Sequence, residues 1–161
     1  MKELPAHQLN PRIKMVWRIN DAIWLTVAFV CAFAPCAILA AGGNSAAVVG
    51  AAITFAVYVL ALVLWLVVLP VIRFARWRYE LSDDYLDIAK GIVWRKRFVI
   101  PFIRVQNTDT RQGPILRLFG LASVTVATAA GEHEIPGLAF DVAEQLRDHA
   151  AELARLARED V

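Results

Sequence analysis

Three histidines are the first acid/base candidates in this 161-residue chain, and they stand far apart, at His7, His133 and His149. Only His133 has carboxylate neighbours, Glu132 and Glu134. On an extended strand adjacent side chains face opposite sides, so these three groups do not converge on one reacting atom, and an exposed turn edge is the simpler reading. No HExxH, GxSxG or glycine-rich phosphate loop occurs. Asp83, Asp84 and Asp87 fit turn chemistry and a solvated strand edge, because no further carboxylates recur at cation-ligand spacing. Cys31 and Cys36 lie on different faces of an apolar helix, lack metal or redox spacing, and read as packing residues. These patterns predict no enzyme, no metal and no cofactor.

What does cluster is positive charge. Lys90, Arg95, Lys96 and Arg97 surround Trp94. Basic residues near a membrane contribute roughly 1 kcal/mol each toward an anionic leaflet, and Trp favours the interface. Strand alternation puts Arg95 and Arg97 on one face and Lys96 on the other. The cluster is therefore a candidate site for an anionic lipid or a partner, set against a solvated sheet face that needs no ligand. A net charge of +2 and a pI near 8.7 are too mild to call for nucleic acid.

The elements that must carry this cluster begin in a bilayer. Residues 46–72 form an apolar run without one charge, longer than the roughly 20 residues that cross a hydrocarbon core. Pro70 closes it, and Arg73, Arg76, Trp77 and Arg78 follow as interface anchors. Residues 22–41 form a second uncharged run, interrupted by Pro35 and preceded by the anchors Trp17 and Arg18. That run exceeds the core of a cleaved signal peptide and another span follows at once, which favours a hairpin. Only residues 42–45 connect the two runs, and they are uncharged while both outer flanks are basic. The asymmetry predicts a multi-pass protein of the cell (inner) membrane with both termini in the cytoplasm. With no charge inside either run, ion-coupled transport and voltage sensing are disfavoured. Gly50, Ala51, Thr54 and Ala61 allow close helix packing, first of the hairpin on itself.

The two zones explain the average composition: 58% hydrophobic residues and a mean hydropathy of +0.51, yet 20% charged. The expected boundaries are a cytoplasmic juxtamembrane segment over 1–21, with an amphipathic turn at the interface, a two-span hairpin over 22–72, and a soluble domain over 77–158. In the last zone the periodicity becomes strand-like over 77–81, 85–89, 92–100, 121–130 and 133–138, with turns at Ser82 to Asp84, Lys90 and Gly91, and Gly131 and Glu132. Residues 106–112 are polar, and Gly113 and Pro114 open a compact turn. Asp141 with Glu144 starts a helix, whose stripe is Val142, Leu146, Ala150, Leu153 and Ala157.

Tyr79, Leu81, Gly91, Ile100-Pro101, Arg104-Val105-Gln106, the Gly113-Pro114 turn, Phe119-Gly120-Leu121-Ala122, Thr128 to Gly131 and Ile135 to Leu138, together with the preceding hairpin, resemble the bacterial pleckstrin-homology-like (PH-like) domain of YdbS-type membrane proteins. The resemblance covers nearly the whole chain. It implies an α+β fold, with two packed antiparallel sheets forming a partly open barrel capped by the C-terminal helix. It supplies no biochemical activity, but members look like accessory or assembly proteins alongside larger relatives. The expected function is a noncatalytic membrane-anchored interaction module, contacting the bilayer and either a membrane protein with related domains or a second copy. The alternative is sensing of anionic lipid headgroups through the basic hairpin.

Overall fold

The computed structural model describes residues 5–159, which form two compact units: residues 17–71, and residues 5–16 joined to 72–159. The first holds most of two helices long and apolar enough to span a membrane, of 29 and 32 residues. α1 is Ile13–Ala41; the second helix is built from α2 (Ser45–Val63), a π-helical turn (Leu64–Val68) and α3 (Leu69–Arg76). The Asn44 side chain caps α2 by accepting from the Ala47 N–H at 3.2 Å. The two helices pack on each other with Cys36 Sγ beside Gly50 and with Phe29 stacked on Tyr58 at 4.2 Å. Thr26 and Tyr58 share a hydroxyl hydrogen bond of 3.1 Å. Ile38 and Leu60 stay exposed, as residues that meet lipid tails should.

Pro70 does not end the second helix as its sequence position predicts. A proline in a helix leaves the carbonyl four residues earlier without a donor, here that of Leu66. The helix opens into the π turn just before it, and Arg18 Nε of α1 donates to the Leu66 carbonyl at 2.8 Å. Arg18, expected only as an interface anchor, satisfies the carbonyl that Pro70 orphans.

The second unit contains two three-stranded antiparallel sheets, in the orders β1-β2-β3 and β4-β5-β6, with no closed barrel. β1 is Arg78–Leu81, β2 Tyr85–Lys90 and β3 Lys96–Pro101. A single 3-10 turn (Phe102–Arg104) leads to β4 (Val105–Arg111), followed by a short helix α4 (Pro114–Leu118), β5 (Leu121–Thr128) and β6 (Gly131–Ala139). The helix α5 (Phe140–Glu159) packs on the second sheet and the 3-10 turn. The core consists of Leu86, Ile88, Ile100, Phe102, Val105, Leu121, Val124, Val126 and Ile135. This is the α+β, PH-like arrangement.

Several local expectations change. β4 occupies the polar stretch that showed no strand pattern, because as an edge strand it leaves Asn107, Asp109 and Arg111 in solvent. β3 begins at Lys96, not Ile92. On α5 the buried stripe is Ala143, Ala150 and Ala154, while Val142 faces solvent. Small alanines at these positions bring the helix close to the sheet.

The largest change concerns the N-terminal flank. Instead of an interfacial amphipathic turn, residues 5–16 form part of the second unit. His7 pairs antiparallel with Tyr79 of β1 through two backbone bonds of 3.0 and 2.9 Å, and the Asn10 N–H donates to the Gly137 carbonyl of β6 at 3.1 Å. Leu9 and Ile13 are buried between these elements. Gly137, at φ 65°, lies so close to the Ile13 side chain that any Cβ there would overlap it. The segment thus closes the seam between the outer edges of β1 and β6.

Candidate functional site

The basic residues converge because the β2-β3 hairpin folds back sharply. Gly91 takes φ 120° and packs directly against the Trp94 carbonyl, where a side chain has no room. The loop lifts Val93 and Trp94 into solvent, 82% and 81% exposed. At its base Lys90 and Lys96 are direct cross-strand partners. Lys90 Nζ also stands 5.9 Å from the Trp77 ring and 5.4 Å from the Phe98 ring.

A cavity of about 270 Å³ opens here, lined by Arg76, Arg78, Lys90, Arg95, Lys96 and Arg97, with Ala75, Ala89 and Gly91 completing the wall. Lys96 and Arg97 are consecutive in β3 and face opposite sides of the sheet, as alternation requires, while Arg95 precedes the strand and lies outside that alternation. Arg73 and Trp77 line a neighbouring cavity of about 290 Å³ with Trp94 and Lys96. Trp77, expected as a membrane-interface anchor, is 4% exposed and belongs to the core of the second unit. Trp17 is buried as well.

Asp87 is not on a solvated edge. It is buried on the central strand β2, where Arg97 Nε donates to its two carboxylate oxygens at 3.0 and 2.9 Å. The two sit diagonally across β2 and β3 on one face. This hydrogen bond raises the Arg97 pKa above its ordinary value, so the guanidinium is a fixed cation in the pocket wall. The sequence signal was available: an aspartate among Leu86, Ile88 and Ala89 needs a partner.

His133, expected at an exposed turn edge, stands half-buried in β6, its ring 4.7 Å from Phe98. Burial, then the charge of Lys90, lowers its pKa. Glu132 and Glu134 are exposed, and Arg111 lies 3.7 Å from Glu132. His7 lies on the β1 edge and His149 on exposed α5, so the histidines do not meet. Among the described residues no group of three or more His, Cys, Asp or Glu is arranged to hold a metal.

A further concavity is a groove of about 830 Å³ along β3, running from Phe98 past Ile103 and Arg104 to Thr128 and His133. Among the described residues no strand or bridge pairs with the outer edge of β3. Val99 and Ile103 are exposed there, 47% and 49%.

The model of the bacterial PH domain family matches residues 22–154. The chain is similar to the UPF0699 transmembrane protein YdbS of Bacillus subtilis (strain 168), with 35% identity over 165 residues covering all of both chains. It is also similar to the UPF0699 transmembrane protein YdbT of the same organism, with 28% identity over 91 residues, 54% of this chain and 18% of that one. No solved structure gives a significant match.

Proposed function

From the premise that this chain belongs to the bacterial PH domain family, we propose that it is a noncatalytic membrane-anchored interaction module, a subunit of a membrane protein assembly. The observation that carries this reading is the open β3 edge, where exposed Val99 and Ile103 line the groove. An unpaired edge can accept a strand from another chain, and soluble proteins ordinarily cover or charge such edges. The occupant is a second copy or a membrane protein carrying related domains. The second option is favoured by the longer relative, which shares this kind of sequence over 18% of its length. The hairpin spans the cell membrane twice and both termini lie in the cytoplasm, as the basic flanks favour. Extraction of the full chain from native membranes in mild detergent should give a complex heavier than 17.9 kDa with a co-purifying membrane protein or a second copy. A lone monomer contradicts the reading. In a cysteine-free background, Asn44→Cys should react with an impermeant thiol reagent in intact cells; protection there, with labelling at the termini, would reverse the topology.

A second reading has its own observation, the six cationic residues that line a cavity at the base of the hairpin carrying an exposed Trp. It is contact of the basic hairpin with anionic lipid.

A further inference from the structure

We propose that the open edge of β3 is a strand-addition site for an extended, acidic segment of a different protein, laid antiparallel in the groove with a carboxylate near its N-terminal end. This rests on the interaction-module reading above and names the backbone groups and the segment chemistry that the contact uses.

The phase of the β2-β3 ladder decides which backbone groups are on offer. The Phe102 N–H donates to the Asp84 carbonyl at 3.1 Å, and the register sets these two residues opposite each other, one step beyond Tyr85 and Pro101. Hydrogen-bonded and non-hydrogen-bonded positions alternate along an antiparallel pair, so Ile100 and Phe98 spend their backbone groups on β2. Arg97 and Val99 each point an N–H and a C=O out of the sheet, whereas Pro101 has only a carbonyl there and ends the row. A donor and an acceptor at each of two positions fix the register of an added strand.

The edge is also unguarded. Charged side chains ordinarily defend such edges, and in this row the charge belongs to Arg97. Its side chain is turned back across β2, where Nε donates to the buried Asp87 carboxylate at 3.0 and 2.9 Å. That cation therefore holds a carboxylate within the sheet and leaves Val99 at the rim.

The walls select the ligand. Side chains of an added strand that stand opposite Phe98 and Ile100 share their face, which looks across the groove to His133, its ring 4.7 Å from that of Phe98; apolar side chains suit those positions. No carboxylate among the described residues lines the groove, while Arg104 does, exposed and outside every ion pair among the described residues. Arg104 follows the C-terminal end of β3, where an antiparallel ligand has its N-terminal end, so that end carries the carboxylate. A second copy fits worse: its own β3 edge brings Lys96 and Arg97 and no acid to a groove already lined by Arg97 and Arg104.

The test selects phage-displayed random peptides against the full chain in neutral detergent and measures the winners as synthetic peptides by fluorescence anisotropy. They should share an acidic residue followed by alternating apolar residues. Val99→Pro removes an outward N–H and leaves the β2-β3 bonds in place, so it should keep the thermal midpoint of the unmodified chain yet weaken the acidic peptide at least about tenfold. Arg104→Glu should weaken it by a similar factor and, when the selection is repeated, turn the preferred residue from acidic to basic. Arg117→Glu, the same charge change on α4, should leave binding unchanged. Binding that survives both groove variants overturns the site, and winners without the acidic residue overturn the ligand chemistry; in either case a co-purifying partner still supports an interaction module. A selection that yields no binding peptide overturns strand addition at this edge. Self-association of the full chain in light scattering that Val99→Pro abolishes makes the occupant a second copy and overturns the assignment to a different protein.

Discussion

The second unit has two edges on its first sheet, and it treats them oppositely. The outer edge of β1 is closed by residues 5–16, with His7 paired to Tyr79 and with Leu9 and Ile13 buried toward β6. Among the described residues no strand lies beside the outer edge of β3, and Val99, with Ile103 of the 3-10 turn that follows, is exposed. Nature covers edges that would otherwise recruit other chains, so the edge left open is the informative one. The contrast also fixes what a fragment must contain: a domain cut at residue 77 lacks the segment that seals β1 to β6.

The sharpest way to break the contrast is to open the closed seam. Gly137→Ala puts a Cβ at a positive φ and into the Ile13 side chain, and should cost about 2–4 kcal/mol. Thermal unfolding of the full chain in detergent would read it, with hydrogen exchange at Tyr79 rising. A loss below about 0.5 kcal/mol would mean that the N-terminal segment is not seated there. Within the hairpin, Arg18→Leu leaves the Leu66 carbonyl without its donor and should cost about 1–2 kcal/mol, measured by the detergent concentration needed to separate the helices. Unchanged stability would show that water or the π turn serves that carbonyl equally well. By contrast Val99→Lys, at the open edge, should change stability by no more than about 0.5 kcal/mol, yet remove partner binding in co-purification. A large stability loss there would mean that the edge is covered.

The smallest effect concerns His133. Its pKa is lowered on folding, chiefly by burial, so below the usual value of 6.5 the unfolded chain binds more protons. Stability should therefore fall as pH drops from about 6.5 through the lowered folded pKa, then level off. His133→Gln should flatten that portion of the stability profile relative to the unmodified chain. An unaltered profile would place the titration elsewhere.

Legibility in the sequence followed how local each cause is. The two long apolar helices were legible because an uncharged run of spanning length has few other uses, and β5 because it is rich in β-branched residues. β4 was not, since an edge strand wetted on much of its surface loses the alternation that marks a strand. The role of residues 5–16 was hidden for a different reason: their partners, Tyr79 and Gly137, lie beyond the whole hairpin, and no local pattern reports a contact of that separation. For the site, Lys90 and the Arg95 to Arg97 run announced themselves, but Arg76 and Arg78 looked like mere anchors until the fold set them across the same cavity. Asp87 was misread as solvated because its partner stands ten residues away on the next strand.

The open edge can be tested in living cells by placing a photocrosslinking amino acid at position 99 or 103 and, for comparison, at position 9 or 79 of the closed seam. The account predicts crosslinks from 99 and 103 to another polypeptide, and only intramolecular products from 9 and 79. No intermolecular product at 99 and 103, or equal yields at both seams, would contradict it.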